Sequence, residues 1–158
     1  QLGRATGARV IATVRNPDLR AQVAALGAEV IDPEGFADRA PFDVILELVG
    51  APNLAGNLKA LATNGRIAAI GTGAGAKGEL NLGLLMMKRG RIHGSTLRAR
   101  PLEEKAMTAR ELERSVLPLL ANGTLDVPLA ATYPLADAES AYDHFAAGGK
   151  LGKIVLTM

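Results

Sequence analysis

The sequence predicts an α/β protein in which a parallel sheet carries helices on both faces. Three observations predict it. Short Val- and Ile-rich runs alternate with helical stretches along the whole chain, the pattern of strands joined by crossover helices. Glycine and proline fall at the boundaries between those runs, where turns and helix ends need them. Hydrophobic residues make up 48% of the chain but aromatics only 3%. The core must therefore be built from Ala, Leu, Val and Ile, which suits helices laid on a sheet buried on both sides.

Taken in order, residues 1–8 read as the end of a helix, with Gly7 as its stop. Residues 9–15 follow as a buried strand. Asn16 is a good N-cap and Pro17 a good first helical residue for a helix that reaches Leu26 and closes at Gly27. Residues 28–31 form a short strand, and residues 32–41 a loop with Pro and Gly. Residues 42–49 make the next strand, turned by Gly50, and a helix runs from Pro52 to Ala62. Asn64-Gly65 is a turn; residues 66–70 are another strand, ending at Gly71. The glycine-rich residues 71–78 read as mobile. Asn81 caps a short helix through Lys88, in which Met86 and Met87 read as core filling. Residues 91–97 form a strand. A long helix over residues 102–121 places Ala109, Leu112, Val116, Leu119 and Leu120 on one face, with Pro118 kinking it near its end. A strand at 129–133, a helix at 137–147 and a strand at 153–157 complete the chain.

This order is that of a doubly wound, Rossmann-like parallel sheet lacking its first strand and glycine-rich loop in the given residues. Both are expected just before Gln1. In that fold the first strand is central, between the second and fourth, so without it two apolar strand edges would lie open. Residues 1–125 are read as the NAD(P)-binding domain, N-terminally incomplete, and residues 126–158 as a C-terminal segment of different character.

Composition excludes several other classes. A formal net charge of +2 in 158 residues gives no electrostatic case for nucleic acid or a membrane surface. With no cysteine, neither a disulfide framework nor a cysteine-built zinc site can form within these residues. No apolar run reaches the roughly 18 residues of a membrane span, and the default compartment is the cytoplasm. His93 lies in a predicted strand and His144 on a predicted helix; so far apart in sequence, they make neither a metal site nor a convincing base.

The end of the first visible strand is the most informative site. A dinucleotide fold that selects NAD places Asp or Glu there to hold the adenosine ribose. Here the strand ends Ala12-Thr13-Val14-Arg15-Asn16, with no acid. Thr13 and Arg15 offer a hydroxyl and a guanidinium, which suit the 2′-phosphate of NADP(H). The alternative is a solvated Arg at a strand end. Val49-Gly50 and Ile70-Gly71-Thr72 end the next two long strands, where ligands of open α/β sheets gather and glycine lets them approach the backbone; ordinary turn glycines are the alternative. Arg98 and Arg100 could reach an anion but read more simply as surface charges.

The run Gly7-Ala8-Arg9-Val10-Ile11-Ala12-Thr13, then Ala25-Leu26-Gly27-Ala28, Phe42-Asp43-Val44-Ile45-Leu46, Asn64-Gly65-Arg66-Ile67 and Gly152-Lys153-Ile154-Val155-Leu156, resembles the cofactor domain of the medium-chain dehydrogenase/reductase superfamily. Leu80-Asn81-Leu82, Leu85-Met86-Met87-Lys88-Arg89 and Gly94-Ser95-Thr96-Leu97-Arg98 are similar to its zinc-independent NADPH:quinone oxidoreductase branch. The resemblance implies a barrel-like catalytic domain before this one, with residues 126–158 returning to pack on it. It implies that Thr13 and Arg15 read the 2′-phosphate. Val49, Gly50, Gly71, Thr72, Ser95, Thr96 and Leu97 then lie along the cofactor, and Lys153 approaches the pyrophosphate. It also implies homodimerisation through the cofactor domain and a small quinone or enone substrate. A second basic residue often follows the 2′-phosphate site in that family; Leu19 and Arg20 occupy the region here. The expected activity is hydride transfer from NADPH to a quinone or conjugated carbonyl, with no catalytic residue and no metal ligand assigned in this stretch. The alternatives are a zinc-dependent alcohol dehydrogenase, an enoyl reductase, or a nucleotide-binding module without catalysis.

Overall fold

The computed structural model describes residues 1–158. Its elements in chain order are α1 (Leu2–Ala5), β1 (Ile11–Thr13), α2 (Arg20–Ala25), β2 (Glu29–Ile31), β3 (Phe42–Glu47), α3 (Leu54–Ala60), β4 (Leu61–Ala69), α4 (Leu82–Lys88), β5 (Arg91–Gly94), α5 (Leu102–Ser115), α6 (Leu117–Ala121), β6 (Leu129–Pro134), α7 (Ala138–Ala147) and β7 (Lys153–Thr157). Every strand pairing is parallel, in the orders β1–β2, β3–β4–β5 and β6–β7. The fold is the expected α/β, Rossmann-like one. The β1–β2 pair shares no strand pairing with β3–β4–β5. The chain forms two compact units, Gln1–Pro33 with Met107–Met158, and Glu34–Ala106.

In the unit Glu34–Ala106, Ile45, Ile67 and Ile92 are register partners on β3, β4 and β5 and so share one face of the sheet. That face meets Leu58 of α3, Leu61, and Leu84 and Leu85 of α4. Leu58, Leu61 and Ile67 are 1%, 0% and 1% exposed, the best buried large side chains of the chain. Lys88 Nζ closes the C-terminus of α3 by donating to the Lys59 and Leu61 carbonyls, a cation where the helix dipole favours one. The Asn64-Gly65 turn falls inside β4. Register jumps from Phe42↔Leu61 to Val44↔Arg66, so residues 62–65 bulge out, with Asn64 left-handed at φ 65°.

Two expectations for this unit are corrected. Met86 and Met87 are not core filling: each is 76% exposed. Leu84, Leu85 and Lys88 occupy the inward face of α4, and the helical period turns the two methionines away from it. The glycine-rich stretch is not a free loop. Ala74 N–H donates to the Val49 carbonyl at 2.9 Å and Ala51 N–H to the Gly75 carbonyl at 2.9 Å, which fastens it to the turn after β3.

In the other unit, Asn16 Oδ1 accepts the Asp18 N–H at 3.0 Å, so the predicted cap forms, although the helix it starts begins as a 3-10 turn over Pro17–Leu19. Tyr133 of β6 and His144 of α7 share a hydrogen bond of 3.0 Å. Gly152, at φ +103°, turns the chain into β7; a Cβ there would lie 2.3 Å from the Pro128 carbonyl oxygen. The predicted long helix is two. Pro118 has no N–H and its ring crowds the carbonyl four residues earlier, so α5 stops at Ser115 and α6 restarts with the proline in its first turn. The apolar face expected for that helix is not buried: α5 has no buried residue and Leu112 is 48% exposed.

Leu58→Ala should cost about 2–5 kcal/mol of unfolding free energy, and Met86→Ala less than about 0.5 kcal/mol. Urea denaturation of the full-length protein checks the order; a larger loss at Met86 would move the core elsewhere.

Candidate functional site

The C-terminal end of β3 is organised by an acidic side chain that sequence reasoning passed over. Glu47 is 7% exposed, at the end of the otherwise apolar run Val44-Ile45-Leu46. One carboxylate oxygen, Oε1, accepts the N–H groups of Val49 at 2.6 Å and Gly50 at 2.8 Å, and the Asn53 side-chain amide at 3.4 Å. The other, Oε2, accepts the Asn57 amide from α3. The main-chain carbonyl of the same residue accepts the N–H groups of Ile70 at 2.9 Å and Gly71 at 3.1 Å. Glu47 therefore fixes both turns in which Val49, Gly50, Gly71 and Thr72 lie. An acid directly after the apolar run Val44-Ile45-Leu46 was the available signal, because a buried acid must find donors.

Burial raises the Glu47 pKa, but the backbone hydrogen bonds from Gly50 and Val49, and then those from Asn57 and Asn53, outweigh it and hold the carboxyl below its ordinary 4.5. The group is ionised at neutral pH and acts as an acceptor only.

The two glycines have a direct steric cause. A Cβ on Gly50, which sits at φ +118°, would lie 2.4 Å from the Gly75 carbonyl oxygen; one on Gly71 would lie 2.4 Å from that of Leu48. The close approach is made by the protein's own backbone. Thr72 is exposed beside them, and its carbonyl accepts the Gly75 N–H at 3.0 Å.

Ser95, Thr96 and Leu97 lie just past β5, which ends at Gly94 rather than at Leu97. Ser95 N–H extends the ladder to the Ala69 carbonyl at 3.2 Å. Arg100 is not a free surface charge: it donates from Nε to the Thr96 carbonyl at 2.9 Å and from Nη2 to Ser95 Oγ at 3.0 Å, with Glu104 3.9 Å away. It braces the turn that presents these three residues.

In the unit Gln1–Pro33 with Met107–Met158, Thr13 ends β1 and Arg15 follows two residues later, both exposed. No hydrogen bond or ion pair within the chain engages the Arg15 guanidinium, whereas Arg20 is bonded to the Val14 carbonyl and paired with Asp32. Lys153 opens β7, exposed, in the β6–β7 pair, which shares no strand pairing with β1–β2. Thr13 and Arg15 are thus neighbours, while Lys153 lies in a separate sheet.

With this geometry in hand, comparison with known proteins gives the family. A family model described as zinc-binding dehydrogenase matches residues 17–156. The chain belongs to the zinc-binding dehydrogenase family. Among curated relatives, this family member is 28% identical over 161 residues to acryloyl-coenzyme A reductase of Metallosphaera sedula, covering 99% of this chain and 46% of that protein. It is 32% identical over 167 residues to a mycocerosic acid synthase-like polyketide synthase of Mycobacterium tuberculosis, covering 98% of this chain and 8% of that one. Among solved structures, the quinone oxidoreductase of Thermus thermophilus, determined also in complex with NADPH, is 28% identical with a TM-score of 0.84, covering 99% of this chain and 52% of that one. The quinone oxidoreductase of Pseudomonas syringae gives 27% and 0.78, covering 99% and 51%. The chain thus spans about half the length of the single-enzyme relatives it matches.

The family description names zinc, but these residues do not fit it. There is no cysteine, and no three His, Asp or Glu side chains gather as a ligand set. No step of the proposed chemistry is therefore routed through a metal. No helix is long and apolar enough to cross a membrane.

Glu47→Gln should lower stability by about 1–3 kcal/mol at neutral pH, since an amide cannot accept from all four donors. Because the folded pKa lies below 4.5, the carboxylate's contribution is complete above that value and is lost as pH falls through the folded pKa. The gap in melting temperature between parent and variant should therefore shrink in acid. A gap of constant size would contradict the assignment.

Proposed function

We propose that this chain is the cofactor-binding half of an NADPH-dependent oxidoreductase that reduces a quinone or another conjugated carbonyl. The observation that carries the reading is the tip of β1: a strand end without an acid, followed by an exposed Arg15 with no partner in the chain. A guanidinium just past the strand end can take two oxygens of a 2′-phosphate through parallel N–H bonds, and the Thr13 hydroxyl can add a third contact. The likeness to a quinone oxidoreductase determined with NADPH supports it.

When bound, the nicotinamide supplies a hydride from its C4 position. The residues of this chain bind and orient. Arg15 and Thr13 hold the adenosine end. The turns fixed by Glu47 present the main chain at Val49, Gly50, Gly71 and Thr72 along the cofactor. The turn braced by Arg100 presents Ser95, Thr96 and Leu97 toward the nicotinamide. Lys153 supplies a cation to the pyrophosphate. None of these side chains is assigned a proton transfer.

A second reading, reduction of an enoyl thioester, is favoured by the matches to acryloyl-coenzyme A reductase and to the polyketide synthases. The task of this chain is the same in both, to hold the nicotinamide so that its hydride can reach the acceptor. Turnover of a quinone and of an enoyl thioester by the full-length protein separates the two.

Arg15→Glu should weaken NADPH binding by about ten- to a hundredfold, the size of a lost charged hydrogen-bond pair, and leave NADH within about twofold. Fluorescence titration with each cofactor measures this. Equal losses for both would sink the 2′-phosphate assignment.

A further inference from the structure

Arg20 sits where a second phosphate cation could stand, yet its donors are turned into the protein. Nε donates to the Val14 carbonyl at 3.0 Å, and Nη2 reaches Asp32 Oδ2 beyond the end of β2. The Arg20 side chain is 34% exposed and Asp32 is 51% exposed, so the ion pair by itself stabilises little. Its consequence is geometric. Val14 is held on both sides, its N–H by the Ile31 carbonyl at 3.0 Å and its carbonyl by Arg20. Asn16 is held too: its side chain accepts the Asp18 N–H, and its carbonyl accepts the Leu19 N–H at 3.2 Å. Arg15 stands between these two anchored residues and is exposed.

We infer that Arg20 and Asp32 are a pair of positioning residues that set the preference for a 2′-phosphorylated cofactor by fixing the backbone on either side of Arg15, and that Arg20 is not itself a phosphate ligand. This rests on the 2′-phosphate reading of Arg15. The guanidinium serves the carbonyl from Nε and the carboxylate from Nη2, two separate points of one rigid planar fork, whereas a lysine ammonium offers its donors from a single point. A flexible Arg15 turn would lose part of its pre-organisation for phosphate. The rest of a dinucleotide, common to both cofactors, would be unaffected.

The experiment is fluorescence titration of the full-length protein and its Asp32→Asn, Arg20→Lys and Arg15→Ala variants with NADPH and with NADH, alongside thermal melts. Asp32→Asn and Arg20→Lys are each expected to weaken NADPH about tenfold, the scale of one charged hydrogen bond, and to leave NADH within about twofold. If Asp32→Asn strengthens NADPH binding, Arg20 is a phosphate ligand that Asp32 restrains, and the inference is overturned. Unchanged NADPH affinity in both variants also overturns it. So does an equal loss for both cofactors with a lowered melting temperature, which would mark the pair as fold support alone. Arg15→Ala separates this inference from the reading beneath it. If Arg15→Ala abolishes the preference for NADPH while the Asp32 and Arg20 variants keep it, only the positioning role fails. If Arg15→Ala leaves the preference intact, the phosphate assignment fails and the positioning role falls with it.

Discussion

Glu47 is the residue on which the unit Glu34–Ala106 turns. Its carboxylate collects the main-chain donors of Val49 and Gly50 and the amides of Asn53 and Asn57, and its own carbonyl collects those of Ile70 and Gly71. A carboxylate taken out of water is costly unless its lone pairs are filled. Here they are filled by the groups that a strand end followed by a helix leaves without partners. One buried charge thus shapes two successive strand ends. The backbone crossings that require glycine at positions 50 and 71 follow from the closeness it enforces.

The sheet of that unit is stabilised from one side. Ile45, Ile67 and Ile92 pack under α3 and α4, while Val44 and Leu46 on the other face remain 43% and 67% exposed. Burying apolar area is the main stabilising term in such a unit. The tight face is therefore what sets the β3–β4–β5 register, since a slip of one strand by one residue would turn its isoleucine outward.

At the tip of β1 the balance is electrostatic rather than apolar. Two arginines lie five positions apart; one is neutralised by Asp32 and tied to the Val14 carbonyl, and the other has no partner. The arrangement leaves one exposed cation beside one that is already engaged.

Much of this was legible in the chain itself. The order of strands and helices, the caps at Asn16 and Asn81, the stop at Gly7 and the acid-free strand end at Thr13-Val14-Arg15 all depend on neighbours within a few residues, and local backbone chemistry acts at that range. Other features were decided only by the tertiary structure. Whether Met86 and Met87 face in or out depends on which side of α4 meets Ile67. The tethering of residues 71–78 depends on carbonyls at Val49 and N–H groups at Ala51. The roles of Arg20, Arg100 and Glu47 depend on Asp32, Ser95 and Asn57. A side chain's type and position are properties of the sequence, but whether its charge is paired or free is set by atoms that folding brings to it from elsewhere in the chain.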